Sequence, residues 1–108
     1  ETRSLAVGAE VAIGTTVQFQ VRDAAAATAD LERRLAPFNA ETALVFTCNG
    51  RGSHLFGMPG HDAERLVDSL GTTDVAGMAC AGELGPVAGQ HHLHGFTAST
   101  LLLGSRAT

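Results

Sequence analysis

The residues with chemical potential in this chain fall into a few short groups. Asn49-Gly50-Arg51-Gly52 directly follows the apolar run Ala43-Leu44-Val45-Phe46-Thr47-Cys48. A turn that shows its backbone amides beside a guanidinium suits a carboxylate or phosphate, because arginine binds such anions through two parallel hydrogen bonds. No Gly-Lys-Ser/Thr sequence accompanies it, so it is not a nucleotide loop. The plainer alternative is a tight turn with a solvated arginine. Glu83 lies after Gly82 and before Leu84-Gly85-Pro86. Flanking glycines bring backbone close and can aim its carboxylate at a ligand ammonium, so that Arg51 and Glu83 facing one cavity would match the two charges of a free amino acid. The alternative is a carboxylate that holds its own loop by accepting backbone amides.

His91, His92 and His94, with Cys48, Cys80 and Glu83, raise the question of zinc. Spacing argues against it. There is no Cys-x-x-Cys or His-x-x-x-His pair, and adjacent histidines on a strand point to opposite faces. No metal site is therefore assigned, and His94 is retained as a pocket residue because it starts the last strand beside Gly95. Cys48 at a strand end could act as a thiol nucleophile, but activation requires a base, an orienting group and oxyanion donors. The sequence displays no such set, so no catalytic residue is assigned. Cys48 and Cys80 read as reduced core thiols rather than a disulfide framework. The ligand-binding set is thus Cys48, Asn49, Gly50, Arg51, Gly52, Gly82, Glu83, Gly85 and His94, with no cofactor.

These residues need elements to position them. The run Ala43–Cys48 has no charge or gap and reads as a strand buried on both faces. Asn49-Gly50, which tolerate positive φ, then turn the backbone. Val75-Ala76-Gly77-Met78-Ala79-Cys80-Ala81-Gly82 has the same shape and runs into the polar turn at Glu83-Leu84-Gly85-Pro86. If those two strand ends are neighbours, they make one pocket. Gly77, Ala79 and Ala81 leave the second strand thin, as though a helix or another backbone lay close against it.

Upstream, Leu5-Ala6-Val7 and Val11-Ala12-Ile13 read as strand, and Val17, Phe19 and Val21 alternate with Gln18, Gln20 and Arg22 as a strand with one wet face. Asp23 can cap a helix that carries Ala24, Ala27, Leu31 and Leu35 on one side and stops at Pro37. A second helix begins near Asp62 with Ala63, Leu66, Val67 and Leu70 inward and ends at Gly71. The last strand runs from about Phe96 to Leu103. This order predicts an α/β (α+β) domain, a single-layer mixed, mostly antiparallel sheet with two helices packed on it.

With 108 residues, 44% of them apolar, the chain fits one domain with a modest core. Seven basic against eleven acidic residues give a net charge of −4. The charges form no run and are not interleaved with aromatics, which argues against nucleic acid as a partner. No apolar run approaches the roughly 18 residues of a membrane helix, so no membrane partner is expected, and the two reduced thiols Cys48 and Cys80 point to a cytoplasmic location.

The ordered motifs Leu44-Val45-Phe46-Thr47-Cys48-Asn49-Gly50-Arg51-Gly52, Leu55-Phe56-Gly57, His61-Asp62, Ala76-Gly77-Met78, Gly82-Glu83-Leu84-Gly85-Pro86 and Leu93-His94-Gly95-Phe96-Thr97-Ala98 resemble the C-terminal domain of FIST proteins. The resemblance runs from about Leu5 to Leu103. It implies a sensory module that binds a small ligand, an amino acid or other small anionic metabolite, and passes the signal on. It also implies an N-terminal FIST domain in the same protein, so that residues 1–108 are one FIST C-like domain excerpted from a longer chain. Where relatives often carry an aromatic residue in the third strand's small-residue run, this sequence has Met78 and Cys80. A protein–protein interaction or scaffold domain, and a thiol-dependent enzyme, are the alternatives from other classes.

Overall fold

An aspartate ahead of an alanine-rich stretch opens the first helix as its chemistry requires: the Asp23 carboxylate accepts from the amides of Ala25 (3.3 Å) and Ala26 (3.2 Å). The computed structural model describes residues 3–104 and, as backbone, 106–107. Its elements in chain order are α1 (Ala24–Leu35), β1 (Phe38–Asn39), β2 (Thr42–Cys48), α2 (Gly52–Phe56), α3 (His61–Leu70), β3 (Val75–Cys80), β4 (Glu83–Val87), β5 (Gln90–His94), β6 (Ala98–Leu103) and β7 (Arg106–Ala107). Pro37, which cannot donate to a preceding turn, lies just beyond the end of α1. Gly71, at φ 65°, closes α3 in the left-handed conformation that suits glycine.

The central sheet has the order β3-β2-β6. β2 pairs in parallel with β3 and antiparallel with β6, while β4–β5 and β1–β7 form small antiparallel pairs. The α+β class with a mixed, mostly antiparallel set of strands is as the sequence predicts. A parallel pair needs a crossover connection, and α2 and α3 supply it between β2 and β3. Leu31 and Leu35 of α1, Leu66 and Leu70 of α3, and Ala43 and Val45 of β2 form one buried cluster with Ala40. The helical spacing of Leu31/Leu35 and Leu66/Leu70 is what places both helices on that side of the sheet. Among the described residues no helix is long and apolar enough to cross a membrane.

Several expectations are corrected. The segments at residues 5–13 and 17–22 form no strand, and Leu5, Val7, Val11, Ile13, Val17, Phe19 and Val21 are exposed. A strand requires a partner as well as a pattern, and neither segment pairs with a described strand. The segment lies outside the core, and the radius of gyration is 16.5 Å against about 13 Å for a compact chain of this size. β3 is an edge strand rather than a buried one, with Ala76–Ala79 exposed. Glu83–Val87 is a strand of a hairpin rather than a turn, and β6, read from about Phe96 in the sequence, starts at Ala98 after a bend at Phe96. The short helix α2 has no counterpart in the sequence reading.

The thinness of β3 does reflect a close backbone. A Cβ on Gly77 would lie 1.8 Å from the Val45 carbonyl oxygen of β2, its register partner. Backbone in a paired strand cannot move aside without loosening the pairing. Gly77→Ala is expected to destabilise the domain by about 1–3 kcal/mol, read from the urea midpoint; an unchanged midpoint would mean that β3 shifts freely on its open side.

Candidate functional site

The parallel pairing sets the ends of β2 and β3 side by side, and the Asn49 amide donates to the Cys80 carbonyl at 2.8 Å. The two polar turns therefore leave the sheet as neighbours, as the sequence reading required. The Asn49-Gly50 turn uses no positive φ, contrary to expectation. Glycine is needed at position 50 for a different reason: a Cβ there would lie 2.3 Å from Cε1 of the Phe96 ring.

Arg51 is buried, and its guanidinium holds an internal anion. Nε donates to Asp62 Oδ2 at 2.6 Å and Nη2 to Asp62 Oδ1 at 2.8 Å, a bidentate pair in which both side chains are almost fully enclosed. Nη1 donates to the Phe96 carbonyl at 3.3 Å. The Thr47 hydroxyl donates to Asp62 Oδ2. His61, next to Asp62 at the start of α3, has Nδ1 3.2 Å from Asp62 Oδ1 and Nε2 2.9 Å from Thr28 Oγ1 on α1. The Phe56 ring stacks on His61 with centroids 3.5 Å apart. The network thus ties α1, α2, α3 and β2 together.

Burial alone would push the Asp62 carboxyl up. Hydrogen bonds from Arg51 and Thr47, the Arg51 charge and the contact to His61 outweigh that and hold it below the ordinary carboxylate value. Its place in the first turn of α3 also sets it near the positive end of the helix dipole.

Glu83 is 2% exposed. Its Oε2 accepts from the Thr97 hydroxyl (2.9 Å) and the Thr97 amide (3.4 Å), and Oε1 is buried with no hydrogen-bond partner. The Phe96 carbonyl gripped by Arg51 and the Thr97 amide gripped by Glu83 belong to one peptide unit. That peptide is trans, so its C=O and N–H point in opposite directions. Arg51 and Glu83 therefore clamp the Phe96–Thr97 peptide from opposite edges, and they do not converge on one cavity.

Phe96 has φ 62°, an uncommon conformation for a residue with a side chain. Its ring lies against Gly50, and the Arg22 guanidinium sits over it at 3.5 Å. A strained residue held from several directions persists because its surroundings over-determine it.

The other predicted residues are placed as follows. Cys48 is buried; its sulfur accepts from the Gly50 amide at 3.4 Å and its own amide donates to the Thr97 carbonyl at 2.9 Å. Gly82 is exposed, close to Leu93, and Gly85 packs against Ser99. His94 ends β5 rather than starting the last strand, and its Nε2 donates to the Gly85 carbonyl at 3.0 Å within the hairpin. Among the described residues no group of three or more histidine, cysteine, aspartate or glutamate side chains is arranged to hold a metal.

A cavity of about 280 Å³ opens between the start of α3 and the β2–β3 face. Its polar side is Thr47, His61 and Asp62; its apolar side is Val45, Ala63, Val75, Ala76 and Met78, with Gly52 and Gly60 at the rim. Of the predicted set only Gly52 lines it. Asp62, Thr47 and His61 were missed by the sequence reading, which took Asp62 only as a helix start. A signal was present: Asp62 shares its helix face with Leu66 and Leu70 at four-residue spacing, so an acid sits on the buried stripe of α3.

The FIST C domain family matches residues 1–86 of the chain. An uncharacterized protein of Mycobacterium tuberculosis is 50% identical over 107 aligned residues, which cover 94% of this chain and 28% of that protein. An uncharacterized protein of Mycobacterium bovis is similar to the same extent. The chain spans little more than a quarter of these relatives' length, and no solved structure matches it.

Proposed function

Because this chain belongs to the FIST C domain family, a family of sensory and signal-transduction domains, we propose that it binds a small metabolite of the amino acid class in the cavity at the start of α3. The observation that carries this reading is the cavity: about 280 Å³, apolar on one side, with Thr47, His61 and Asp62 gathered on the other. Small-molecule sites have this form, concave and mostly apolar with a few convergent polar groups. β3 is an edge strand, so alternate backbone groups along Val75–Ala79 lack a strand partner on their outer side and can meet a ligand carboxylate or ammonium. Asp62 lies at the polar wall beside Arg51, so a ligand there reaches Arg51, the turn from Cys48 to Gly52 and the peptide clamp through one carboxylate. The domain acts by binding, without turnover, in the cytoplasm. Its output passes through an N-terminal FIST domain of the same protein, a partner suggested by membership of the FIST C domain family.

A thermal-shift screen of single amino acids and common metabolites tests the reading. A ligand at about 100 times its Kd adds about 2.7 kcal/mol, which moves the melting point of a domain this size by about ten degrees or more. The expected result is a selective shift that is lost in Ala79→Leu, which sets a larger side chain in the cavity lining. A shift that survives Ala79→Leu would place binding elsewhere.

A second reading, an interaction domain, is favoured by one observation. The sheet face opposite the helices leaves Phe46, Leu101 and Leu103 exposed. Absence of any selective shift would favour this reading.

A further inference from the structure

The two cysteines, 32 residues apart in sequence, are register partners at the ends of the parallel strands β2 and β3, and both are free thiols. Directly opposed residues of neighbouring strands project to the same face of a sheet. Strands lie about 4.7–4.9 Å apart, inside the Cα window of about 4.4–6.8 Å within which a disulfide closes. Each cysteine is the last residue of its strand, and the Asn49 amide bonded to the Cys80 carbonyl at 2.8 Å holds the two strand ends side by side. We propose that Cys48 and Cys80 form an oxidisable dithiol, converted by a hydroperoxide into a disulfide between the ends of β2 and β3.

The two sulfurs differ in access. Cys80 is half-buried and Cys48 is 7% exposed. Cys80 as thiolate attacks a peroxide oxygen, breaking the O–O bond to give a sulfenic acid and a leaving hydroxide (from hydrogen peroxide) or alkoxide (from an organic hydroperoxide), which takes up a proton to depart as water or the alcohol. Cys48 sulfur then attacks the Cys80 sulfenic sulfur, forming the S–S bond and expelling the hydroxyl as a second water. Two electrons pass from the thiols to the peroxide, and both thiol protons end in the products.

The bond has a consequence for the clamp. Arg51 lies three residues beyond Cys48 and Glu83 three beyond Cys80, so the disulfide ties together the two turns that hold the Phe96–Thr97 peptide.

The test treats the folded chain with hydrogen peroxide, then alkylates under denaturing conditions and records intact mass and a peptide map. The expected result is loss of both alkylatable thiols in the monomer, a mass lower by two hydrogens, a Cys48–Cys80 linked peptide, and full recovery with dithiothreitol. In Cys48→Ser the sulfenic acid at Cys80 persists and is trapped by dimedone. The proposal is overturned if both thiols remain alkylatable, if oxidation stops at oxygen adducts in the unmodified sequence, or if the only disulfides formed are between molecules.

Discussion

Replacing Asp62 by alanine is expected to lower stability by about 3–5 kcal/mol, the usual effect of removing one partner from a buried ion pair. The loss arises less from the missing attraction than from Arg51, whose guanidinium would remain enclosed at 7% exposure with its main acceptor gone. Arg51→Ala should cost a similar amount by leaving Asp62 unpaired. Replacing both together, as Arg51→Met with Asp62→Leu, should recover much of the loss, since an apolar pair of similar size removes the desolvation problem along with the charges. Acid provides an independent check with a defined sign. The folded Asp62 carboxyl sits below its ordinary value of 3.8, so its contribution is complete above that value and is lost as pH falls through the lower folded value. The gap between the original sequence and Asp62→Ala in urea unfolding should therefore be widest near neutrality and close progressively below about pH 4. A gap at neutral pH of under about 1 kcal/mol, the range of exposed pairs, would show that water reaches the site.

Leu66→Ala is the second large effect, expected at about 2–5 kcal/mol. Leu66 is fully buried on α3, within the cluster that joins both helices to β2. α3 is too short at ten residues to be stable alone, so its docking is what sets His61 and Asp62 against Thr47 and Arg51. At about 4–8 °C per kcal/mol for a domain near this size, the melting point should drop by about 10 °C or more. A loss below about 1 kcal/mol would mean that Leu31, Leu35 and Leu70 close over the vacated volume.

How far the site was legible in the sequence varies residue by residue. Arg51 and Glu83 were singled out by their glycine-flanked turns, and both prove to be buried and bonded to the Phe96–Thr97 peptide. Their engagement with opposite edges of one peptide has no sequence signature, because it depends on where β6 returns beside β2. Asp62 was legible in principle from its place on the Leu66–Leu70 face, yet an acid at a helix start has an ordinary capping explanation that conceals it. The hairpin β4–β5 escaped notice because glycine and proline in Leu84-Gly85-Pro86 signal a turn, whereas in an isolated pair a proline can occupy a strand without breaking a second ladder.

Local chemistry was sufficient for α1, α3, β2 and their ends. Capping by Asp23, the stop at Pro37, the left-handed Gly71 and the unbroken apolar run of Ala43–Cys48 act within a few residues, so the chain specifies them unaided. Tertiary structure decided what depends on partners distant in sequence. Residues 17–22 alternate like a strand but pair with no described strand, β3 is open on one side, and Cys48 meets Cys80 only because the crossover through α2 and α3 brings β3 back in parallel register. Periodicity describes which face a segment would bury; only the folded chain determines whether a surface is there to receive it.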